Sequence, residues 1–244
     1  MLFRSSFVIL AFILSLLTAM VISASLGIFI ERVAYRPLRK APRLAPLLSA
    51  IGVSIILMNL AALFFGTKSR KFDYPFDNST IQLDGTSITP NQIMILVVGL
   101  IMMTALKLFI DKSRLGKAMR ATSQNQPVAA LMGINVNFII SLTFAIGSAL
   151  AAVAGIMMSL EFKLYPTMGQ MAGLKAFIAA VVGGIGNISG AMLGGILLGL
   201  LETFGVVILG IPQGLKDTIA FSVLIIILLV KPSGLLIKNI REKV

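Results

Sequence analysis

Long apolar runs, most of them near the length of a membrane-crossing helix, dominate this sequence. A helix needs roughly 20 apolar residues to cross the hydrocarbon core of a bilayer, and a backbone in lipid must satisfy its own hydrogen bonds. The pattern therefore predicts an all-α, polytopic membrane helical bundle with about six spans. The runs cover residues 7–30, 45–65, 92–110, 138–160, 188–209 and 217–230, with a shorter one at 171–182.

Composition supports a membrane protein and disfavours a soluble domain, a metal-binding protein and an enzyme that uses Cys or His. Hydrophobic residues make up 57% of the 244 residues and charged residues only 12%, against about a quarter in an average soluble domain. The chain has no Cys and no His, so it lacks thiolate chemistry and the residue that most often binds metals or acts as a general base. We expect no metal site, catalytic residues are disfavoured, and the prediction is a protein that is not an enzyme; from composition alone, a hydrolytic enzyme that uses Asp, Glu or Ser stays open.

Basic residues concentrate in short loops between the apolar runs. The positive-inside rule explains a net charge of +12 through membrane orientation, so we expect membrane lipid around the chain and no nucleic-acid partner. Segments 31–43 and 111–137 and the tail after residue 230 are predicted to be cytoplasmic, which places the N-terminus outside and the C-terminus inside. Segment 66–91 has balanced charge and turn residues, which predicts an outer loop with a small hairpin.

The N-terminal run at 7–30 has an alternative interpretation. Arg4 precedes it, as a basic residue precedes the apolar region of a signal peptide. The run is longer than such a region and leads directly into a basic loop. We therefore predict a true span, with a signal anchor as the alternative.

The inner loop at 113–136 predicts a compact helix–turn–helix on the cytoplasmic membrane face. Pro127 is disfavoured in a helix interior but suits a helix start, which predicts a turn at 124–126. Gly133 suits the end of the second helix. Small residues such as Ala121 and Ala130 leave room for a partner to approach closely. The alternative is an ordinary amphipathic helix at the membrane interface.

Glycines crowd the segment 183–199, and two interpretations stay open for its first part. Residues 183–190 are poor helix material, which predicts a glycine-broken or re-entrant segment near 171–190 that forms a hinge or lines a pathway. The alternative is a plain cytoplasmic turn, and the run at 171–182 either crosses the membrane or dips and returns. Repeats of glycine four residues apart follow and favour close helix packing. The candidate residues are Gly183, Gly184, Gly186, Asn187 and Gly190.

Two charges lie in or beside apolar runs, where a charge is costly and commonly functional. Lys175 lies in the short run, and Glu202 follows the glycine-rich stretch. Either they line a polar translocation path, or they are ordinary ends near an interface. No Gly-Lys-Ser/Thr follows the glycines where a phosphate-binding loop requires it, so any nucleotide must bind another chain.

Three blocks, taken in order, resemble the membrane permease of branched-chain amino acid ABC importers, the LivH-type family. The first block, residues 27–59, reads GIFIERVAYRPLRKAPRLAPLLSAIGVSIILMN. The second, residues 113–136, reads SRLGKAMRATSQNQPVAALMGINV. The third, residues 171–203, reads MAGLKAFIAAVVGGIGNISGAMLGGILLGLLET. The resemblance extends over nearly the whole chain from about residue 27 to 231.

The resemblance implies partners that composition does not reveal. It implies a second permease subunit, identical or related, and two cytoplasmic ATPases that bind ATP and Mg. It also implies an extracytoplasmic binding protein that delivers leucine, isoleucine or valine. The chain itself would bind no cofactor and would lie in a bacterial or archaeal plasma membrane, the inner membrane. The family's ATPase-coupling segment would correspond to Arg120, Ala121, Asn125, Ala130 and Gly133.

One departure from the family concerns the N-terminus. Relatives carry a further membrane region ahead of the run that starts at Phe7, and residues 1–6 do not resemble it. The expectation is one ABC importer transmembrane domain over residues 1–244, with the presence of the family's first membrane region left open.

Three other functions remain as alternatives. The first is a permease of the same superfamily for another small solute, such as a sugar, a nucleoside or another amino acid. The second is an ion-coupled secondary transporter, which needs carboxylates along a path and has Glu202 as its one candidate. The third is a membrane scaffold that does not transport, which has no need of a broken glycine segment.

Overall fold

Almost all of the described chain is helical. The structure is a computed structural model and describes residues 2–42, 44–71, 81–83, 86–210, 212–231 and 234. It divides into two compact units, Met1–Thr167 and Met168–Val244. The predicted all-α class is therefore right for the described residues, apart from one short hairpin.

The first unit contains six helices and the hairpin among its described residues. The hairpin pairs Ile81 with Ile88 and Leu83 with Thr86 in antiparallel register, which confirms the small hairpin predicted in segment 66–91. Its predicted turn at Asp84 and Gly85 lies outside the described residues. The elements are α1 Leu2–Ile30, α2 Leu44–Phe65, β1 Ile81–Leu83, β2 Thr86–Ile88, α3 Pro90–Lys112, α4 Arg114–Gln124, α5 Gln126–Leu131 and α6 Val136–Glu161.

Helices α1 and α6 pack closely because a glycine lies at their interface. A Cβ on Gly27 would overlap the side chain of Ser148, so a larger residue there would require Ser148 or one of the helices to shift. Ser23 Oγ donates a hydrogen bond of 2.7 Å to the Ser148 carbonyl at the same crossing. Small residues and hydroxyl hydrogen bonds of this kind hold helices together in lipid, where there is little hydrophobic force between them.

A wide turn extends α1 beyond Ile30. Residues Glu31–Tyr35 form a π-helical turn, closed by a 2.8 Å hydrogen bond from the Arg36 amide to the Glu31 carbonyl. A short 3₁₀ turn at Pro37–Lys40 follows. π-helical turns often occur at functional sites because they redirect side chains, and here the turn directs Glu31 into the protein, where it is fully buried.

The loops at the far end of the first unit also pair with each other. The amide and carbonyl of Arg70 exchange hydrogen bonds of 2.9 and 2.8 Å with those of Leu164. The loop after α2 and the loop after α6 therefore lie at the same end of this unit. The loop after α2 belongs to segment 66–91, which is predicted to lie on the outer face.

The second unit is a bundle of three helices: α7 Met168–Gly183, α8 Ile188–Leu209 and α9 Lys216–Val230. A short 3₁₀ turn at Gln213–Leu215 precedes α9. Helices α7 and α8 form an antiparallel hairpin, and α9 runs in the direction of α7. Their shared core consists of Ile178, Ala179, Val182, Leu198 and Ala220.

Six helical segments among the described residues are long and apolar enough to cross a membrane, which matches the predicted number of spans. The sixteen residues of α7 give a helix of about 24 Å, shorter than a bilayer core of roughly 30 Å. The six candidate spans are Leu10–Tyr35, Leu48–Phe65, Pro90–Lys112, Val136–Glu161, Ile188–Ile208 and Gln213–Val230.

The glycine break is narrower than the sequence predicted. Gly183 is the last residue of α7, and Gly190 lies in the first turn of α8. Only residues 184–187 lie between the two helices. The break therefore takes the form of a tight turn between two packed helices.

Candidate functional site

The inner loop folds as the predicted helix–turn–helix, here called the elbow and defined as residues 113–133. Ser113 Oγ accepts a 2.8 Å hydrogen bond from the Gly116 amide at the start of α4. Asn125 Oδ1 accepts a 3.1 Å hydrogen bond from the Val128 amide at the start of α5. Side-chain caps of this kind satisfy amides that a helix leaves free. Gly133 ends α5 with a φ of +80°, as its predicted role requires.

The predicted coupling residues divide into two groups in the structure. Asn125 and Gly133 shape the elbow itself, whereas Arg120 pairs with Asp111 at 2.9 Å across the α3–α4 corner. Ala121 is half-buried, and Ala130 is exposed. The five residues therefore share one small subdomain without forming one cluster of side chains.

Part of the surface of α5 is apolar and exposed among the described residues. Ala129 is buried against the protein, and the next residue, Ala130, is exposed. Leu131 and Met132 are 87% and 78% exposed. The sequence analysis did not select them as site residues, because helical spacing alone does not tell which face of a short helix is covered.

A buried charge network, which the sequence analysis missed, lies beside the elbow. The carboxylate of Glu31 pairs with Arg39 and accepts a 2.6 Å hydrogen bond from Ser141 Oγ. Arg39 Nη1 also donates a 2.6 Å hydrogen bond to Asn137 Oδ1 on α6. The network joins the π turn after α1 to the first turns of α6, the helix that directly follows the elbow. Its one signal in the sequence is a single acidic residue that begins a basic loop.

In the second unit, the two predicted path charges meet. Lys175 Nζ on α7 lies 3.0 Å from the Glu202 carboxylate on α8. It also lies 2.8 Å from Asp217 Oδ1 in the first turn of α9, where a carboxylate is favoured by the helix dipole. Lys216 Nζ is 3.7 Å from Glu202 Oε2. These residues, Lys175, Glu202, Lys216 and Asp217, form what we call the charge cluster.

Sequence reasoning found half of the charge cluster. Lys175 and Glu202 stood out because they interrupt apolar runs. Lys216 and Asp217 did not, because charges at the start of a span are ordinary. A signal was the balance of charge: residues 168–230 are mostly apolar and carry two lysines and two carboxylates, which must pair with each other if they are buried.

An open cavity of about 230 Å³ lies next to the charge cluster. Lys175 and Glu202 contribute its polar wall, and the remaining lining residues are small or aliphatic. Glu202 Oε1 is buried and receives no hydrogen bond from the described residues, although Lys175 Nζ lies 3.0 Å away. The other lining residues are Ala176, Ala179, Gly195, Leu198 and Gly199.

The predicted hinge glycines lie at the opposite end of the α7–α8 hairpin. Gly184 and Gly186 adopt φ values of +106° and +92°, which favour glycine. Asn187 Oδ1 caps α8 by accepting a 3.1 Å hydrogen bond from the Gly190 amide. A Cβ on Gly183 would overlap the Gly190 carbonyl. Gly184, Gly186 and Asn187 form the tight turn, and Gly183 and Gly190 lie in the helix ends beside it. Lys175 and Glu202 belong instead to the charge cluster.

The chain resembles known transport proteins over most of its length. Residues 1–228 match the family described as "Branched-chain amino acid transport system / permease component". The high-affinity branched-chain amino acid transport system permease protein BraD of Pseudomonas aeruginosa is 46% identical over 93% of this chain and 75% of its own length. The corresponding LivH of Escherichia coli K12 is 43% identical over 93% and 74%.

A more distant relative comes from an archaeon. The probable branched-chain amino acid transport permease protein LivH of Methanocaldococcus jannaschii is 28% identical over 78% of this chain and 62% of its own length. No solved structure matches the chain. The relatives are transport permease proteins, which supports the prediction that the chain is not an enzyme. Given the family match over residues 1–228, the chain belongs to the permease components of branched-chain amino acid transport systems.

Proposed function

We propose that this chain is a membrane permease subunit of an ATP-driven importer that translocates leucine, isoleucine and valine delivered by a binding protein. The observation that carries the proposal is 43–46% identity to permease proteins of high-affinity branched-chain amino acid transport systems over 93% of the chain. Six candidate spans and the absence of His and Cys agree with transport rather than covalent chemistry.

The proposed assembly contains a second permease subunit, two cytoplasmic ATPases and an extracytoplasmic binding protein. ATP and Mg bind the ATPases, because this sequence contains no phosphate-binding loop. The binding protein supplies most of the substrate specificity. The permease therefore needs a pathway that opens and closes more than a tight binding site.

The elbow is the proposed contact with an ATPase. Its α5 surface carries apolar side chains, including Leu131 and Met132, which are unusually exposed for their type. Exposed apolar surface rimmed by polar residues commonly marks a site of protein contact. Lys117 on the neighbouring helix α4 is exposed and adds positive charge to the elbow, which favours an acidic partner surface.

Movement of the elbow has a direct route into the spans. Helix α5 is followed within a few residues by α6, and the Glu31–Arg39–Asn137 network ties the start of α6 to the end of α1. When the ATPases close on ATP, displacement of the elbow would shift α6 and α1 together. The α7–α8 hairpin is the proposed second moving element, with its turn at 184–187 as the hinge.

Substitution of Ala130 tests the coupling proposal. Ala130→Trp adds bulk at an exposed position, so the permease should still fold and insert while co-purification with the ATPases falls about tenfold or more, as for a central contact residue. Ala130→Ser is the matched control and should retain the ATPases. Retention of the ATPases and of leucine uptake by Ala130→Trp would contradict the assignment of the elbow.

Uptake by the assembled system tests the proposed substrate. The permease, its partner permease, the ATPases and the binding protein are reconstituted in vesicles, and uptake of radiolabelled leucine is followed with and without ATP. We expect ATP-dependent uptake of leucine, isoleucine and valine. Uptake of a sugar or nucleoside in their place would favour the alternative within the same superfamily.

A further inference from the structure

The cavity beside the charge cluster combines three features that a small zwitterion requires. One wall carries an ammonium group, Lys175, and a carboxylate, Glu202. The rest of the lining is hydrocarbon or glycine, including Ala179 and Leu198. An aliphatic α-amino acid has the complementary set: one carboxylate, one ammonium and one apolar side chain.

The Glu202 carboxylate has bonding capacity left for such a ligand. Oε2 accepts a 3.0 Å hydrogen bond from Lys175 Nζ. Oε1 is buried and receives no hydrogen bond from the described residues, although the Lys175 ammonium lies 3.0 Å away as an ion-pair partner. A ligand ammonium would add a charge-assisted hydrogen bond at this oxygen.

The ammonium group of Lys175 is shared between two carboxylates. Lys175 Nζ contacts both Glu202 and Asp217, and Lys216 lies 3.7 Å from Glu202. Asp217 is not among the cavity-lining residues. A ligand carboxylate that binds Lys175 therefore replaces Asp217 at the ammonium group, while Lys216 stays near Glu202.

The cavity exists because the residues of α7 and α8 that face it include glycines and alanines. A Cβ built on Gly199 meets no described atom within 4 Å, and one on Gly195 comes no closer than 3.8 Å to Ala179. Glycine at these positions is therefore not required by the packing of α7 on α8. That contrasts with Gly183 and Gly190, where a Cβ would overlap the facing backbone.

From these observations we infer that the cavity between α7 and α8 is a transient binding site for the transported aliphatic α-amino acid. The α-ammonium of the ligand binds Glu202, its carboxylate binds Lys175, and its side chain lies against Ala176, Ala179 and Leu198. The inference rests on the proposed function, since it takes the substrate to be a branched-chain amino acid.

Filling the cavity is the first test, carried out in the complete transporter reconstituted in vesicles with leucine delivered by the binding protein. Gly199→Leu places a side chain in the cavity, whereas Gly173→Leu adds the same side chain to α7 at another position with no described atom within 4 Å of the new Cβ. We expect Gly199→Leu to lower leucine uptake about tenfold or more. ATP hydrolysis stimulated by the loaded binding protein should persist. Gly173→Leu should transport normally.

Gly199→Ala covers the case in which the larger substitution prevents assembly. One methyl group should lower uptake of leucine more than uptake of valine, because the larger side chain needs more of the cavity. Equal uptake by the Gly199 and Gly173 variants, or an equal loss of leucine and valine uptake in Gly199→Ala, would overturn the inference.

Two carboxylate substitutions separate ligand binding from a purely structural ion pair. Glu202→Gln and Asp217→Asn each remove one carboxylate partner of Lys175, but only Glu202 lines the cavity. We expect Glu202→Gln to lower leucine uptake per ATP hydrolysed about tenfold, and Asp217→Asn to lower it clearly less. An equal effect of the two would show that the pair only stabilises the helices.

The same measurements distinguish failure of the site from failure of the proposed function. If the unmodified transporter does not take up leucine, the proposed function and this inference are both wrong. If it takes up leucine and the Gly199 and Glu202 variants match their controls, the cavity is not a substrate site and the proposed function stands.

Discussion

The buried carboxylate of Glu31 shows how much one residue can determine in a membrane protein. The side chain is fully buried, whereas that of Arg39 is 24% exposed. A buried charge is tolerated only when it is paired and hydrogen-bonded, and Glu31 has both an Arg39 ion pair and a Ser141 hydrogen bond. The two ends of this network lie on helices far apart in the sequence, so it fixes their mutual position.

The difference in exposure predicts unequal effects of removing the two partners. Arg39→Ala leaves Glu31 buried without its cation, which should cost about 3–5 kcal/mol. Glu31→Ala leaves an arginine that can still reach water, and should cost less. The measurement is the thermal denaturation midpoint of the purified permease complex, with the exposed Arg36→Ala as the control. A larger loss for Glu31→Ala than for Arg39→Ala would contradict this account.

At the scale of elements, the α7–α8 hairpin is held by contact between backbones. A Cβ on Gly183 would overlap the Gly190 carbonyl, and one on Gly190 would overlap that of Gly183. Gly194 has the same relation to the carbonyl of Ala179. The small residues therefore set the distance between the two helices, as in other close helix pairs in lipid.

Alanine substitution should destabilise the protein at glycines in the α7–α8 interface and not at a glycine outside it. Gly183→Ala and Gly190→Ala force the backbones apart and should each destabilise the protein by about 1–3 kcal/mol. Gly173→Ala, in the same helix and without described neighbours within 4 Å, should be neutral or slightly stabilising. Thermal denaturation midpoints and the yield of assembled complex measure this. Equal midpoints for the three variants would show that α7 and α8 do not depend on close backbone contact at Gly183 and Gly190.

The elbow belongs to the same scale and explains the limits of local prediction. Its helix starts, its turn and its final glycine follow from residues only a few positions apart, so the sequence predicted them correctly. The exposure of Leu131 and Met132 depends on which side of α5 meets α6. That is decided by packing between segments and not by local pattern.

At the scale of the whole molecule, the basic loops and one contact in the second unit both indicate how the chain is oriented in the membrane. Basic loops predict a cytoplasmic location for segments 31–43 and 111–137. In the second unit, a Cβ on Gly234 would lie 2.6 Å from the Gly184 amide nitrogen, so Gly234 lies at the same end of that unit as the hairpin turn. If the tail is cytoplasmic, as its lysines and arginine predict, then the turn faces the cytoplasm and α7 crosses the membrane despite its length.

Cysteine labelling tests this orientation directly, because the chain has no Cys of its own. Single variants Lys68→Cys, Lys117→Cys and Ile185→Cys replace exposed residues. We expect a membrane-impermeant maleimide to label Lys68→Cys in intact cells, and the other two only after permeabilisation. Labelling of Ile185→Cys in intact cells would show that α7 does not bring the hairpin turn to the cytoplasmic face.

The sequence by itself determined the class, the number of spans, the elbow and the family. The class and the spans depend on hydropathy summed over about 20 residues, and the elbow depends on helix caps that act within a few positions. The family follows from three blocks of sequence that resemble it without any structural information. It also indicated Lys175 and Glu202 as unusual charges, since a charge in an apolar run is visible without any knowledge of its surroundings.

Only the tertiary structure decided which of these residues act together. Ser141 binds Glu31 across 110 positions of sequence, and Lys175 meets Glu202 across 27. Such pairs depend on how whole helices pack, and helix packing in lipid is directed by a few small residues whose contacts no local pattern specifies. The cavity beside the charge cluster has the same origin, because it lies where two helices that are in contact at Gly183 and Gly190 no longer fill the space between them.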